Sequence, residues 1–154
     1  MPNTQAIGVA FADPEFQSVA VTGAITAASA SVSGALSAGS VSSASVTASG
    51  DLFIKSATVA ATGSVQGDAA AVTSGFTLVS AADGTKGVAL PAAAAGLVCI
   101  IKNNAAAALK IYPASGDAIN ALSANAAYSI TNLTSTVLVA YDSTTWYSVP
   151  LVAS

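Results

Sequence analysis

The sequence predicts an all-β protein: a repetitive, shaft-like amino-terminal segment followed by a small antiparallel β-sandwich or jelly-roll-like module. Three observations carry that expectation. Apolar residues alternate with period two and form no 3.6-residue stripe. Turn residues recur at short intervals through the second half. The first half repeats itself, with Val21-Thr22-Gly23-Ala24-Ile25 returning 11 residues later as Val32-Ser33-Gly34-Ala35-Leu36.

Residues 1–17 hold Ile7-Gly8-Val9-Ala10-Phe11 and then Asp13-Pro14-Glu15-Phe16. Ile7, Val9 and Phe11 alternate onto one face, the pattern of a short strand stopped by an Asp-Pro turn. Phe11 and Phe16 are two of four phenylalanines and adjoin a stretch poor in large side chains. They either cap the core of the next segment or insert into a partner. Ile7, Val9, Phe11 and Phe16 are therefore the candidate anchor.

Residues 18–72 are rich in Ala, Ser, Val, Thr and Gly. Beyond the 11-residue repeat, Val46 with Gly50-Asp51-Leu52 and Val59 with Gly63-Ser64-Val65 keep the order of apolar residue, turn glycine, apolar residue. Short strands joined by tight turns account for this order. A flexible linker or a disordered tract fits less well, because such tracts are poor in the valine, isoleucine and leucine that recur here in phase. Alanine makes up 37 of the 82 apolar residues, so burial within one chain yields little area at about 25 cal/mol per Å². A thin apolar edge of this kind is buried by stacking on neighbouring units or on the same edge of symmetry mates. Val21, Ile25, Val32, Leu36 and Val46 are the positions expected to face a shared trimer axis or a neighbouring chain. Small side chains suit that geometry, as glycine does at the collagen axis.

Residues 73–154 have a richer composition. Strands are expected at Phe76–Val79, Gly87–Leu90, Leu97–Lys102, Leu109–Tyr112, Ala118–Leu122, Tyr128–Ile130, Thr136–Tyr141 and Thr145–Val149. Asp83-Gly84, Pro91, Asn103-Asn104, Pro113 to Asp117 and Asp142-Ser143 supply turn chemistry between them. Eight strands at this spacing suggest a sandwich, jelly roll or small barrel. The four-alanine runs at 92–95 and 105–108 are too short to nucleate helices and are expected as loops.

The composition excludes most chemistry. Only 7% of residues are charged, histidine is absent, and Lys55, Lys86, Lys102 and Lys110 are the only basic side chains. This removes histidine acid–base catalysis, histidine metal sites and arginine clamps on phosphate. A net charge of −3 argues against nucleic acid, whose phosphates require a basic footprint. No zinc-type cluster, EF-hand loop or phosphate-binding glycine motif occurs, so no cofactor or metal is expected. Gly84-Thr85-Lys86-Gly87 is a turn that contains a lysine. The seven acids sit at turns, and Asp117 and Asp142 would form a glycosidase pair only if folding brought them to about 5–9 Å. Asn132-Leu133-Thr134 matches a glycosylation acceptor by chance.

The longest apolar run, Val88–Ile101, is broken by Pro91 and Gly96 and is shorter than the roughly 20 residues of a membrane span. No positive charge precedes Lys55 and no apolar h-region opens the chain, so neither a span nor a secretory signal is expected. The lone Cys99, inside Leu97–Ile101, is expected as a small buried hydrophobe.

The Val-Thr-Gly-Ala-Ile and Val-Ser-Gly-Ala-Leu units resemble the repeats of trimeric bacteriophage fibres. Leu90-Pro91 through Gly96-Leu-Val-Cys-Ile-Ile-Lys102-Asn103, then Ile111-Tyr112-Pro113-Ala-Ser-Gly116-Asp117-Ala-Ile119-Asn120 and finally Thr145-Trp146-Tyr147, resemble a β-rich module of phage head-decoration and head-fibre proteins. That resemblance covers about half of the chain besides the repeats, and rests on turn and strand chemistry. It implies a homotrimer on the virion; with the chain's size and its lack of catalytic residues, the expectation is a protein of the outer capsid surface with the major capsid protein as partner and no enzymatic activity. Capsid decoration fits a shaft of about 50 residues better than a tail fibre does. The alternative is a short fibre or spike that binds host glycans through Tyr128, Trp146 and Tyr147, with Tyr112 and Tyr141 as further aromatic surface and Asp117 or Asn120 as hydrogen-bond partners. Trp146 and Tyr147 are adjacent on one strand and face opposite ways, so at least one is expected in the core.

Overall fold

A computed structural model describes residues 22–24, 28, 31–43 and 45–150. The chain divides into two units, Met1–Val46 and Thr47–Ser154. In the first unit none of the described residues lies in a strand. Its sequence accounts for this, since an Ala/Ser-rich stretch buries too little apolar area to repay backbone ordering within one chain.

The described residues of the second unit are all-β apart from one 3-10 turn, Gln66–Asp68. Its ten strands are β1 (Ser56–Ala60), β2 (Ala70–Ala71), β3 (Phe76–Ala81), β4 (Gly87–Ala89), β5 (Val98–Asn103), β6 (Leu109–Tyr112), β7 (Ala118–Ile119), β8 (Tyr128–Ile130), β9 (Ser135–Ala140) and β10 (Thr145–Pro150). Each of the eight runs expected between Phe76 and Val149 carries one of them. β1 and β2 lie inside the stretch that the sequence assigns to the shaft, and both pair with strands of the module. Both four-alanine runs are loop, as expected.

The strands form a six-stranded sheet, β1-β3-β5-β9-β10-β7, and a four-stranded sheet, β2-β4-β6-β8. From β1 to β6 the chain alternates between the sheets, and each strand pairs in parallel with the strand two before it. Ser56 is level with Phe76, and Phe76 with Ile100; Ala70 is level with Val88, and Val88 with Ile111. The result is a solenoid-like stack of three coils. Apart from an isolated Thr62–Gly87 bridge, the antiparallel pairing expected for the whole module occurs among the described strands beyond it, where β9 turns back along β5, β10 along β9 and β8 along β6. Parallel neighbours need a long crossover, usually a helix. Here a strand in the opposite sheet serves as the crossover, and a period-two pattern cannot distinguish that arrangement from a hairpin.

The inward faces of both sheets meet in one buried cluster. Val79, Ile101, Leu138 and Trp146 come from the large sheet, and Val88, Leu109, Ile111 and Ile130 from the small one. Asn103 is fully buried at the end of β5. Its Nδ2 donates to the carbonyls of Ala107 (2.9 Å) and Thr131 (3.0 Å), and its Oδ1 accepts the Ala105 N–H (3.1 Å). That side chain ties two loops to the core. Aspartates close the exposed turns. Asp83 Oδ1 accepts the N–H groups of Thr85 and Lys86, and Asp142 Oδ1 those of Thr144 and Thr145.

Candidate functional site

The chemistry of this chain lies in its apolar surface. Along the sequence before β1, Val32, Leu36, Val41, Val46, Leu52 and Phe53 are all exposed, Phe53 the most at 89%. Large apolar side chains repeated at this spacing in a segment whose described residues form no strand are surface that the single chain leaves uncovered. Val32, Leu36 and Val46, expected at a trimer contact, are thus solvent-facing within one chain. Val21 and Ile25 of the same set lie outside the described residues, as do the anchor residues Ile7, Val9, Phe11 and Phe16.

A second apolar surface lies on the outer face of the six-stranded sheet. Phe76, Ile100, Val137 and Val149 are level with one another across β3, β5, β9 and β10, and Val98, Val139 and Tyr147 form a parallel row. All are partly or fully exposed. The sequence signal for this face is the unbroken apolar run in β5 and β9, because a strand with one wet face alternates and a strand covered on both faces does not. The outer side of the small sheet is treated differently. Tyr112 is buried there, its hydroxyl donating to the Ser64 carbonyl (2.6 Å), and Gln66 Nε2 donates to the Pro113 carbonyl (2.6 Å). The loop before β2 thereby covers that sheet.

The structure separates the residues proposed for a glycan. Trp146 is completely buried, which removes it as a stacking platform; Leu138, Ile119 and Ala140 belong to the same core. Asp117 is buried and accepts the Ala93 N–H at 2.9 Å. Asn120 clamps β10, donating to Ser148 Oγ and accepting the Ser148 N–H. Tyr112 is consumed as described above, and Tyr128 packs against the core from the edge of the small sheet. Tyr147 remains half-exposed on β10. With Tyr141, which the fold leaves 71% exposed, it makes an edge-to-face pair with ring centres 5.9 Å apart.

No catalytic arrangement emerges among the described residues, which include no group of three or more potential metal ligands. The Asp142 carboxyl is lowered by the Thr144 N–H first and by the other Thr144 and Thr145 donors, and Asp83 is lowered chiefly by the Thr85 hydroxyl and N–H. Both act as turn caps. The two acids weighed as a glycosidase pair are thus spent on backbone donors. Lys86 pairs with Asp83 at 3.4 Å on the surface, and Lys102 Nζ donates to the Leu133 carbonyl.

A cavity of about 310 Å³ opens where β3 and β5 begin, lined by Lys55, Val72, Ser74, Pro91, Leu97 and Cys99 among others. Ser74 spends its hydroxyl on the Phe76 carbonyl and on Thr77 Oγ1. Burial pushes the Cys99 thiol up, so it stays protonated and inert. The cavity offers shape and apolar contact without a reactive group. No helix among the described residues is long and apolar enough to cross a membrane. In comparison with family models, curated proteins and solved structures the chain gives no match.

Proposed function

We propose that this chain is a structural virion protein: a homotrimeric decoration, or cement, protein that binds the major capsid protein on the outside of an assembled phage head and stabilises the shell. The observation that carries this reading is the stretch ahead of β1, which exposes Val32, Leu36, Val41, Val46, Leu52 and Phe53 and whose described residues make no strand. Such a segment gains stability by burying its apolar positions against other chains, as a shaft wound about a threefold axis does. The two-sheet module then bridges capsid subunits. Ile7, Val9, Phe11 and Phe16 provide the grip on the capsid by edge pairing and inserted phenylalanines.

Cementing requires no catalysis. A protein that binds only the assembled shell stabilises it by mass action. Light scattering coupled to size exclusion tests the shaft: the wild-type chain is expected as a trimer, and Val32→Asp with Leu36→Asp as a monomer with its module folded, because the six carboxylates so introduced would be buried between chains, which costs several kcal/mol. A variant that remains trimeric refutes the shaft. Capsid occupancy after deletion of residues 1–17, and the heat resistance of particles stripped of the protein, test the anchor and the cement role. Full occupancy or unchanged resistance overturns them.

The exposed Tyr141–Tyr147 pair favours a second reading, a short fibre or spike that stacks host glycans on those rings. A glycan array distinguishes the two. Hits that vanish in Tyr141→Ala with Tyr147→Ala support adhesion, and binding to empty capsids without array hits supports decoration.

A further inference from the structure

The two ends of the coil stack differ. At the β10–β7 side the core is closed, with Trp146 and Ile119 wholly buried. At the other end both sheets terminate on the first coil, β1 in one and β2 in the other, and neither strand has an outer neighbour among the described residues. The inward side chains of that coil, Ala57, Val59 and Ala70, are only partly covered, whereas Thr77, Val79 and Val88 of the next coil are fully buried. β1 also has no charge or proline to discourage pairing, and such unprotected edges recruit further strands.

We infer that this open edge receives residues 31–54 of a second copy, which add a further coil beneath β1 and β2. This rests on the self-assembly reading above and names the surface on which it acts. Three observations select the occupant. Adjacent coils of the large sheet are 20 and 24 residues apart by register, Ser56 to Phe76 and Phe76 to Ile100, and those of the small sheet are 18 and 23 apart, Ala70 to Val88 and Val88 to Ile111. Residues 31–54 span one such coil. Their Val32, Leu36, Val41 and Val46 are uncovered and of a size to close over Ala57, Val59 and Ala70. In the stretch that runs straight into β1, Leu52 and Phe53 stand out in solvent, so a chain's own residues there do not cover its own edge.

Hydrogen–deuterium exchange on the full-length wild-type chain tests this without altering the fold. Raising the concentration from monomer to oligomer is expected to slow exchange about tenfold or more in peptides covering both 31–54 and β1, and to leave β9 and β10 unchanged. Ala57→Lys gives the second arm. In the free module the lysine reaches solvent from the edge, whereas an added coil would bury it, so oligomer affinity is expected to fall about tenfold or more while β9 and β10 keep their protection. An oligomer in which β1 exchanges as fast as in the dilute chain, or which Ala57→Lys leaves as tight as wild type, overturns the edge assignment alone. A wild-type chain that stays monomeric at every concentration overturns the self-assembly reading with it.

Discussion

Replacing Asn103 by leucine tests whether one buried amide holds the far side of the module together. Leucine has the same branching and number of side-chain heavy atoms, so no cavity opens and the loss comes from hydrogen bonds, with any crowding by its larger methyl groups adding to it. The Ala105 N–H, on a residue only 6% exposed, loses its acceptor, and a buried orphaned donor costs about 1–3 kcal/mol. The carbonyls of Ala107 and Thr131 lie on more exposed residues and can turn to water, so each loses only about 0.5–1 kcal/mol of net bonding. The leucine returns roughly 1 kcal/mol of apolar burial. The expected net loss is about 1–4 kcal/mol, or roughly 5–25 °C in the thermal midpoint of a unit this size. Circular dichroism melts at fixed chain concentration measure it. Asn103→Asp adds a sign. Its carboxylate would face two carbonyls in a buried site, raising its folded pKa above the unfolded value near 4, so the deficit against wild type is expected to widen as pH rises from about 4 toward 7. A leucine variant within about 0.5 kcal/mol of wild type, or an aspartate deficit that does not change with pH, would refute the argument that this amide is the tie.

Gly87→Ala is expected to cost about 1–3 kcal/mol in urea denaturation, because a Cβ there would lie 2.6 Å from the Tyr112 ring and 2.8 Å from the Lys110 carbonyl of the adjacent strand; a shift below about 0.5 kcal/mol would mean that the covering is loose. Cys99 is expected to resist Ellman's reagent in the folded chain and to react at once in denaturant, and fast native labelling would contradict its burial. Asp83 and Asp142 have lowered folded pKa values, so their contribution is present above the unfolded value near 4 and is lost as pH falls below it. Thermal midpoints are expected to be level from about pH 7 to 5 and to drop below about pH 4, with a smaller drop in the Asp83→Ala, Asp142→Ala variant.

Local chemistry was legible in the sequence wherever neighbouring residues decide it. The eight runs from Phe76 to Val149 alternate or are β-branched and are bounded by turn residues, and each forms a strand. Asp83 and Asp142 cap turns, as short carboxylates do beside free backbone N–H groups. The adjacency of Trp146 and Tyr147 required them to face opposite ways, but which one turned inward depended on the register of β10 against β9. Strand direction was equally hidden. The same alternation serves a hairpin or a coil, and only burial of Val79, Ile101, Val88 and Ile111 in one shared cluster fixes the parallel stack. β1 and β2 illustrate the same division. Ser56–Ala60 and Ala70–Ala71 carry the texture of the shaft, and they join the module because β3 and β4 present partners at the right height. Low charge and small side chains determined that residues 31–54 would bury little alone. The tertiary structure added the place where uncovered backbone remains, since an open sheet edge exists only once the other strands have found their neighbours.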